Sequence, residues 1–390
     1  MPVSQDDKNL AVRIYFDLWA RERNRPSGEA VKEELAKRNV PLGKMDKKTV
    51  SNTITEQVAA LFTAGALLPS ASRMPTHGPP IERREELEER LVEKYEGNGL
   101  RKAIVVSADS AVLTNGHNDV GLPDNGLHRC LGKALAAWLR ELAVALDGQT
   151  LGIGSGRGVG FTVDELRGQT LLPSRPSILS LTGSVHSKNA HKQYMMDADI
   201  HAAVLSACFS SSVDLTLIRR FAAVPAPGAP RKGTPLDDAA WEGHIPFYAI
   251  LGVGTFAEGH KFFEEAKADP GNQEPHLSPI HSLLVELMRQ CEGLARDDYS
   301  PVADIANHLV FIEDRRVLSI KAERIKGILV EINSRMVALQ EAQFRTIRNI
   351  ILVGGTKSKA GAIRHLLMSE NFNVKAVCTD ETVARVLLCA

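Results

Sequence analysis

QTLGIGSGRGVG, residues 149–160, decides how the chain is read. Thr150, Leu151 and Ile153 make a short apolar strand. Glycines at 152, 154, 156, 158 and 160 are separated by small or cationic residues, and a helical pattern follows over 161–166. Strand, glycine-rich turn and helix is how an α/β protein builds an anion site. Glycine permits φ > 0 and a close approach of backbone to ligand, and the free N–H groups of the next helix N-terminus attract phosphate. Ser155 adds a hydroxyl and Arg157 a planar cation. The same residues also suit a tight strand-to-helix turn with no ligand. A dinucleotide site fits less well, because the G-x-G-x-x-G spacing is missing and no acidic residue ends the strand-like run at 177–182 to hold a ribose.

Outward from this stretch, strand and helix patterns alternate from residue 100 onward. AIVVSA (103–108) reads as a buried strand, 126–146 as a long amphipathic helix, 177–181 as a strand and 197–209 as a helix. Residues 214–219 read as a strand edge and 225–235 as a Pro/Gly loop, and IPFYAILGV (245–253) is a second strand ending in glycines. Residues 257–279 are polar and read as a loop-like insertion. The last strands are 350–353 and 374–377, with a helix at 360–368 between them and another at 381–388. Such alternation implies a parallel sheet whose ligands sit at the carboxyl ends of the strands. Four turns follow strands there: GSGRG (154–158), TGS (182–184), GVGT (252–255, with Thr255) and GGTKSK (354–359). With Arg157, Lys357 and Lys359 among them, they suit a phosphorylated or carboxylated small molecule better than an apolar one.

The first 70 residues have a different pattern. Residues 8–20 and 28–38 read as amphipathic helices, the second with Val31 and Leu35 inward, and Asp46 reads as the N-cap of a third helix over 47–64. The exposed start of that third helix carries Lys47, Lys48, Thr49, Ser51, Asn52 and Thr55. This is a helix-turn-helix layout, in which lysines meet phosphates and Asn or Ser meets base edges in the major groove. A plain three-helix bundle with a solvated polar face fits the same residues. A Pro/Ser/Gly-rich linker spans 69–80. The charge-dense helix 81–96, with a Leu87, Leu91 and Tyr95 stripe, is of the kind that bridges domains, packs on a twin in a dimer or stays solvated. The expected division is therefore 1–70, 71–99 and 100–390.

Composition excludes several classes. The chain has 390 residues, 47 Lys plus Arg against 47 Asp plus Glu, and five scattered cysteines with no C-x-x-C pair. Balanced charge announces neither nucleic acid nor membrane globally, so a DNA-binding part must be local. Unpaired cysteines argue for reduced thiols and against a zinc site or a disulfide framework. A polar N-terminus and the lack of a long apolar run lead to the expectation of a cytoplasmic protein with no membrane partner.

The order of these motifs resembles the SorC family of sugar-responsive bacterial transcriptional regulators. Thr49-Val50-Ser51 stands where that family has T-V-S in its recognition helix. LGIGSGRGV is similar to its strand and GSGRT loop, and YAILGVGT to its strand ending in G-I-G-S. Asp304 lies in VADIANHLVF, similar to G-D-I-C-G-R-F-F, and the run 351–388 holds GG, Lys, A-I-R, T-D-E and A-R-x-L-L in the family's order. The resemblance implies a helix-turn-helix head and a parallel-sheet sugar-binding domain related to ribose-5-phosphate isomerase and glucosamine-phosphate deaminase. It also implies a carbohydrate or sugar-phosphate effector. Gly154, Ser155, Gly156 and Arg157 would form the phosphate loop, Asp304 would bond the sugar, and Lys357 and Lys359 compete for the lysine of the last turn. Three departures stand out: Gly158 for the loop's threonine, Ala303, Ala306 and His308 for Gly, Gly and Arg, and one extra residue in GGTKSK. These point to an effector unlike the common phospho-sugars.

The expectation is a ligand-responsive, DNA-binding regulator that acts on double-stranded operator DNA as a homodimer or homotetramer, with no catalytic residue, cofactor or metal. An isomerase- or deaminase-like enzyme using Asp304 or Asp214 as a base is the rival. The histidines at 186, 191, 201, 244 and 260 form no recognised metal or catalytic set, and Lys188 and Lys192 are read as solvated. A third reading is an interaction protein that kept the fold and lost the ligand.

Overall fold

Short apolar runs between turns produce eight strands among the described residues of the computed structural model: Lys102–Val106 (β1), Thr150–Ile153 (β2), Ser177–Ser180 (β3), Tyr248–Thr255 (β4), Val302–Ile305 (β5), His308–Phe311 (β6), Asn349–Val353 (β7) and Val374–Asp380 (β8). The structure describes residues 28–37, 45–46, 48–50, 81–107, 125–167, 176–182, 197–209, 245–257, 260–269, 277–295, 299–314, 317–336 and 338–389. The chain divides into two compact units, Met1–Met74 with His186–Tyr194 and Pro75–Val185 with Met195–Ala390.

In the second unit six strands run parallel in the order β1-β8-β7-β4-β2-β3. Their side chains alternate between two cores. Ile104, Val106, Ile250, Ile351 and Val353 face one side, and Ala103, Val105, Leu251, Ile350 and Leu352 the other. The first side is covered by Asn125–Leu142 (α3), Arg157–Arg167 (α4) and Ala198–Cys208 (α5). The second is covered by Glu85–Tyr95 (α2), Glu341–Thr346 (α9), Ala360–Met368 (α10) and Glu381–Cys389 (α11). Burial on both faces explains strands that read as continuous apolar runs. The last three residues of β4 continue past the sheet and pair antiparallel with β5, which forms a hairpin with β6. Lys261–Lys267 (α6), His281–Cys291 (α7) and Ser319–Arg335 (α8) pack around that hairpin as a third apolar cluster.

Several expectations are corrected by this arrangement. The 81–96 stripe neither bridges nor waits for a twin. Leu87, Leu91 and Tyr95 are buried in the unit's own core, and the Tyr95 hydroxyl donates to the Leu387 carbonyl at 3.1 Å. The segment before the helix also closes the free edge of β1. Arg84 N–H donates to Val105 O at 2.9 Å, Ser107 N–H to Glu82 O at 2.8 Å, and Val105 N–H to the Glu88 carboxylate at 2.9 Å. An edge strand left bare invites pairing with another chain, so this cover has a structural purpose. The 257–279 segment contains helix α6, because Phe262, Glu265 and Ala266 recur at helical spacing and are buried. GVGT is not a turn after a strand, since β4 runs through it and Thr255 pairs with Ala303.

In the first unit, Gly28–Lys37 (α1) buries Val31 and Leu35 one turn apart. Asp46 caps the next helical residues, 48–50, as expected. Its Oδ1 accepts the Thr49 N–H at 2.9 Å and its Oδ2 the Thr49 hydroxyl at 2.6 Å. These bonds from Thr49 hold the Asp46 carboxyl below its ordinary pKa. Lys48 is exposed and Thr49 half-buried, while Lys47, Ser51, Asn52 and Thr55 lie outside the described residues, as do the helix at 8–20, the linker at 69–80, the segment 214–235, and His186, Lys188, His191, Lys192, Asp214 and His244. No described helix is long and apolar enough to cross a membrane.

Two glycines separate packing from propensity. A Cβ on Gly132 of α3 would stand 2.6 Å from the Phe161 carbonyl carbon on α4, whereas one on Gly327 of α8 would meet nothing within 4 Å. Gly132→Ala is expected to destabilise by about 1–3 kcal/mol through overpacking. Gly327→Ala should stabilise by up to about 1 kcal/mol, because alanine loses less backbone entropy in a helix. Urea unfolding of both variants checks the opposite signs.

Candidate functional site

The two glycine turns that end β2 and β7 open at the same carboxyl edge of the sheet, separated by β4. In the first, Gly154 N–H donates to Ile250 O at 2.8 Å, and α4 begins at Arg157. Of the five glycines from 152 to 160, only Gly156 has a positive φ, at 126°. Gly152, Gly154 and Gly158 are instead crowded by neighbouring side chains and backbone. A Cβ on Gly152 would lie 2.6 Å from Leu181 Cδ1, and one on Gly158 2.7 Å from Val353 Cγ1. Gly158 and Gly160 are thus buried within α4 and are not part of an open loop. Gly158, where the resembling family has threonine, leaves the space that Val353 fills. On β4, a Cβ on Gly252 would lie 2.6 Å from Ser155 O, so strand and loop touch backbone to backbone. From α5, a ring nitrogen of His201 lies 3.3 Å from Gly154 O.

The second turn is held by an acid. Asp380, the last residue of β8, accepts the Thr356 N–H on Oδ2 at 2.6 Å and the Val383 N–H of α11 on Oδ1 at 3.0 Å. Thr356 adopts φ 81°, a conformation that costs a non-glycine residue about 1–3 kcal/mol. The Asp380 bond offsets that strain. Gly355 is pinned between Asp380 Oδ2 and the Leu127 and Leu131 side chains of α3, which a Cβ there would meet at 2.8, 2.9 and 3.0 Å. Lys357 is exposed, whereas Lys359 is half-buried with its stem against Gly354. Of the two competing lysines, Lys359 is therefore the one directed over the turn.

A second polar group stands where β4 leaves the sheet. Asp304 of β5 is in register with Gly254 of β4. Its Oδ2 lies 3.0 Å from His260 Nε2 and 3.7 Å from Lys261 Nζ. Lys261 also donates to Asn307 Oδ1, and Asn307 Nδ2 donates to the Thr182 carbonyl at 3.2 Å, tying the group to the end of β3. Ala306 and Asn307, with φ 51° and 66°, form the two-residue hairpin turn that sets this geometry. Burial alone would raise the Asp304 pKa, but Lys261 and His260 outweigh it and hold the carboxyl below its ordinary value. Burial lowers Lys261, with Asp304 opposing.

Along this edge several buried polar atoms have no hydrogen-bond partner among the described residues: Ser180 Oγ, Thr182 Oγ1, Asp304 Oδ1, His260 Nδ1, Thr379 Oγ1 and His128 Nδ1. Each such atom costs about 1–3 kcal/mol if left unmet. Their gathering at strand ends, where α/β sheets bind ligands, is what a polyhydroxylated molecule would satisfy. The expected residues Gly154, Ser155, Gly156, Arg157 and Lys359 all lie on the two facing turns. Asp304 belongs to the polar group at the end of β4, and Thr255, which pairs with Ala303 beside it, is buried in the same ladder. His260, Lys261, Asn307, His128 and Asp380 were not singled out by sequence as site residues. The one available signal was the adjacent His260-Lys261 pair before the buried Phe262.

The Lys261 and Asp304 side chains are only 14% and 9% exposed, so breaking the pair is costly. Asp304→Ala should destabilise by about 3–5 kcal/mol because it removes one partner of a buried ion pair. Adding Lys261→Met should restore a large part of the loss. A carboxyl held below its ordinary pKa stabilises the fold above the unfolded value of about 3.9, and that contribution is lost as pH falls through the folded value. Acid titration of urea-unfolding stability should therefore flatten in Asp304→Asn.

No family model matches the chain and no curated protein matches it. Solved structures do. A proposed sugar-binding domain of a transcriptional repressor from Vibrio fischeri is 17% identical with a TM-score of 0.51, over 78% of this chain and 98% of that one. A DeoR family transcriptional regulator from Listeria monocytogenes is 16% identical with a TM-score of 0.52, over the same shares of 78% and 98%. A probable sor operon regulator from Shigella flexneri is 15% identical with a TM-score of 0.50, again over 78% and 98%. At these identities the likeness establishes the fold: a mixed α/β unit with a mostly parallel sheet, of the kind found in these regulators' domains.

Proposed function

We propose that the chain is a ligand-responsive, DNA-binding transcriptional regulator of the SorC type, acting on a carbohydrate or polyol operon. The observation that carries this reading is the meeting, at one sheet edge, of two cation-bearing turns and a buried polar group. Arg157 and Lys359 suit an anionic group, and Asp304, His260 and Thr182 suit hydroxyls. The fold shared with domains of regulators supports the reading, as does the motif order of the chain. Residues 1–70 form the DNA-binding head, 71–99 the linker and helix, and 100–390 the effector domain. In the head, Lys47 and Lys48 contact phosphates while Ser51, Asn52 and Thr55 read bases. Thr49, whose hydroxyl already serves Asp46, orients that first turn. The protein works in the cytoplasm as a homodimer or homotetramer, since palindromic operators require symmetry.

The effector turn has a physical route toward the linker. Asp380 holds Thr356, and the next residue, Glu381, holds Arg84 at 2.9 Å just before α2. A ligand that shifts the 354–359 turn acts on Asp380 and so on the Arg84 segment, provided it binds two arrangements unequally. An enzyme based on Asp304 is less well supported. Its carboxyl is held low by Lys261 and one oxygen is engaged by His260, which makes it a weak general base.

Mobility shift of DNA upstream of the chain's own gene tests the regulator reading. Binding is expected at low salt and should be lost in the Lys48→Ala, Asn52→Ala double variant; no binding by the unaltered chain would sink the reading. Thermal shift against sugar phosphates and polyols should find a stabiliser, worth about 2.7 kcal/mol at 100 times its Kd. Arg84→Ala should leave effector and DNA binding intact while weakening the effect of one on the other.

A further inference from the structure

One buried titratable group at the anion turns has no part in the reading above. His128 lies in the first turns of α3 and is 3% exposed, and its Nδ1 has no partner among the described residues. Its place follows from its neighbours. Gly132, one turn along the same face of α3, abuts the Phe161 and Thr162 backbone of α4, and one turn back from Phe161 is Arg157. Leu127 and Leu131, flanking that face, press on Gly355 of the second turn. His128 therefore sits at the junction of both cation-bearing turns. Among the described residues, the charges that act on it are Lys359 of the 357–359 turn, with Lys357 exposed beyond it, and Arg157 at the start of α4; Arg129 on its own helix is stacked on Phe161 at 5.5 Å. Asp380 of β8 stands across Gly355 with Oδ2 already accepting from Thr356.

We propose that His128 is a third anion contact at this site, and that it takes up a proton from solvent when an anionic group settles between Arg157 and Lys359. This rests on the anion-site reading and adds its regulation by pH. In the free chain, burial first and then the Lys359 and Arg157 charges hold the imidazole well below its ordinary pKa, so it is neutral near neutrality. A doubly charged anion reverses the balance. It offsets both cations and gives the ring an acceptor, so the imidazolium becomes the stable form. The ligand class is a dianionic oxyanion head group. Because binding carries a proton in, affinity must rise as pH falls.

Sulfate is the probe, since it stays fully ionised where histidine titrates. Equilibrium dialysis of labelled sulfate with the full chain, at constant ionic strength from about pH 8 to about pH 6, brackets the imidazole range. The expected result is a Kd that falls by up to about tenfold per pH unit over part of that range. His128→Gln should bind sulfate with a Kd nearly independent of pH. A wild-type slope no steeper than that of His128→Gln, with binding still lost in Arg157→Ala, overturns the proposal and leaves the anion site standing. Sulfate binding that is absent, or indifferent to Arg157→Ala and Lys359→Ala, overturns both. Should His128→Gln fail to fold, the unaltered chain decides the matter. Saturating sulfate added to weakly buffered protein at about pH 6.5 should draw up to one proton per chain from solution, and no uptake overturns the proposal.

Discussion

The backbone of β4 is hydrogen-bonded into ladders of opposite sense along its length. Tyr248–Gly252 pairs parallel with β7, its neighbour on the other side is β2, and Val253–Thr255 pairs antiparallel with β5. A buried strand must satisfy every N–H and C=O, so the position of β4 is over-determined, and with it everything its two ladders carry. One ladder sets the glycine turns of β2 and β7 on either side of it. The other sets Asp304 beside Gly254. The anion-suited and hydroxyl-suited groups share an edge because one strand runs from the first to the second.

Close approach at this edge demands glycine for steric more than conformational reasons. Gly252 clears the Ser155 carbonyl, Gly158 clears Val353 and Gly355 clears Asp380. Each lets a helix start or a turn descend onto the sheet by the width of a methyl group. That descent sets the turns that carry Arg157 and Lys359 on either side of β4 at the same edge. The acids are arranged differently. Asp380 is occupied by two backbone donors and acts as a fastener, whereas Asp304 faces Lys261 and His260 and keeps one oxygen without a partner among the described residues. Under the proposed function, cations at one end and a polar, partly unmet group at the other would distinguish the two ends of a ligand.

Much of the α/β layering was legible from periodicity. The strands at 103–108, 177–181, 350–353 and 374–377 and the helices at 126–146, 197–209, 360–368 and 381–388 all appear, shifted by a few residues at their ends. The elements that escaped are instructive. The β5–β6 hairpin turns on Ala306-Asn307, with no glycine to announce it, and α6 hides its buried Phe262 within a polar segment. The 81–96 stripe was visible as amphipathic, but nothing local says which surface an amphipathic helix covers. Its partner is the C-terminal helix α11, nearly 300 residues away by the Arg84–Glu381 separation of 297.

By itself the sequence determined much of the strand and helix alternation and the turns after β2 and β7 with their cations, because these follow from side-chain period and local backbone requirements. Tertiary structure decided what those residues do together. The strand order β1-β8-β7-β4-β2-β3 sets the 154–158 and 354–359 turns on either side of β4, and the antiparallel extension of β4 onto β5 sets Asp304 where His260 meets it. Only the fold shows that Lys359 is half-buried against Gly354 while Lys357 is exposed, and that Gly158 answers to Val353. Pairing across a parallel sheet is set by the packing of whole helices on its faces, and no single stretch of sequence contains that information.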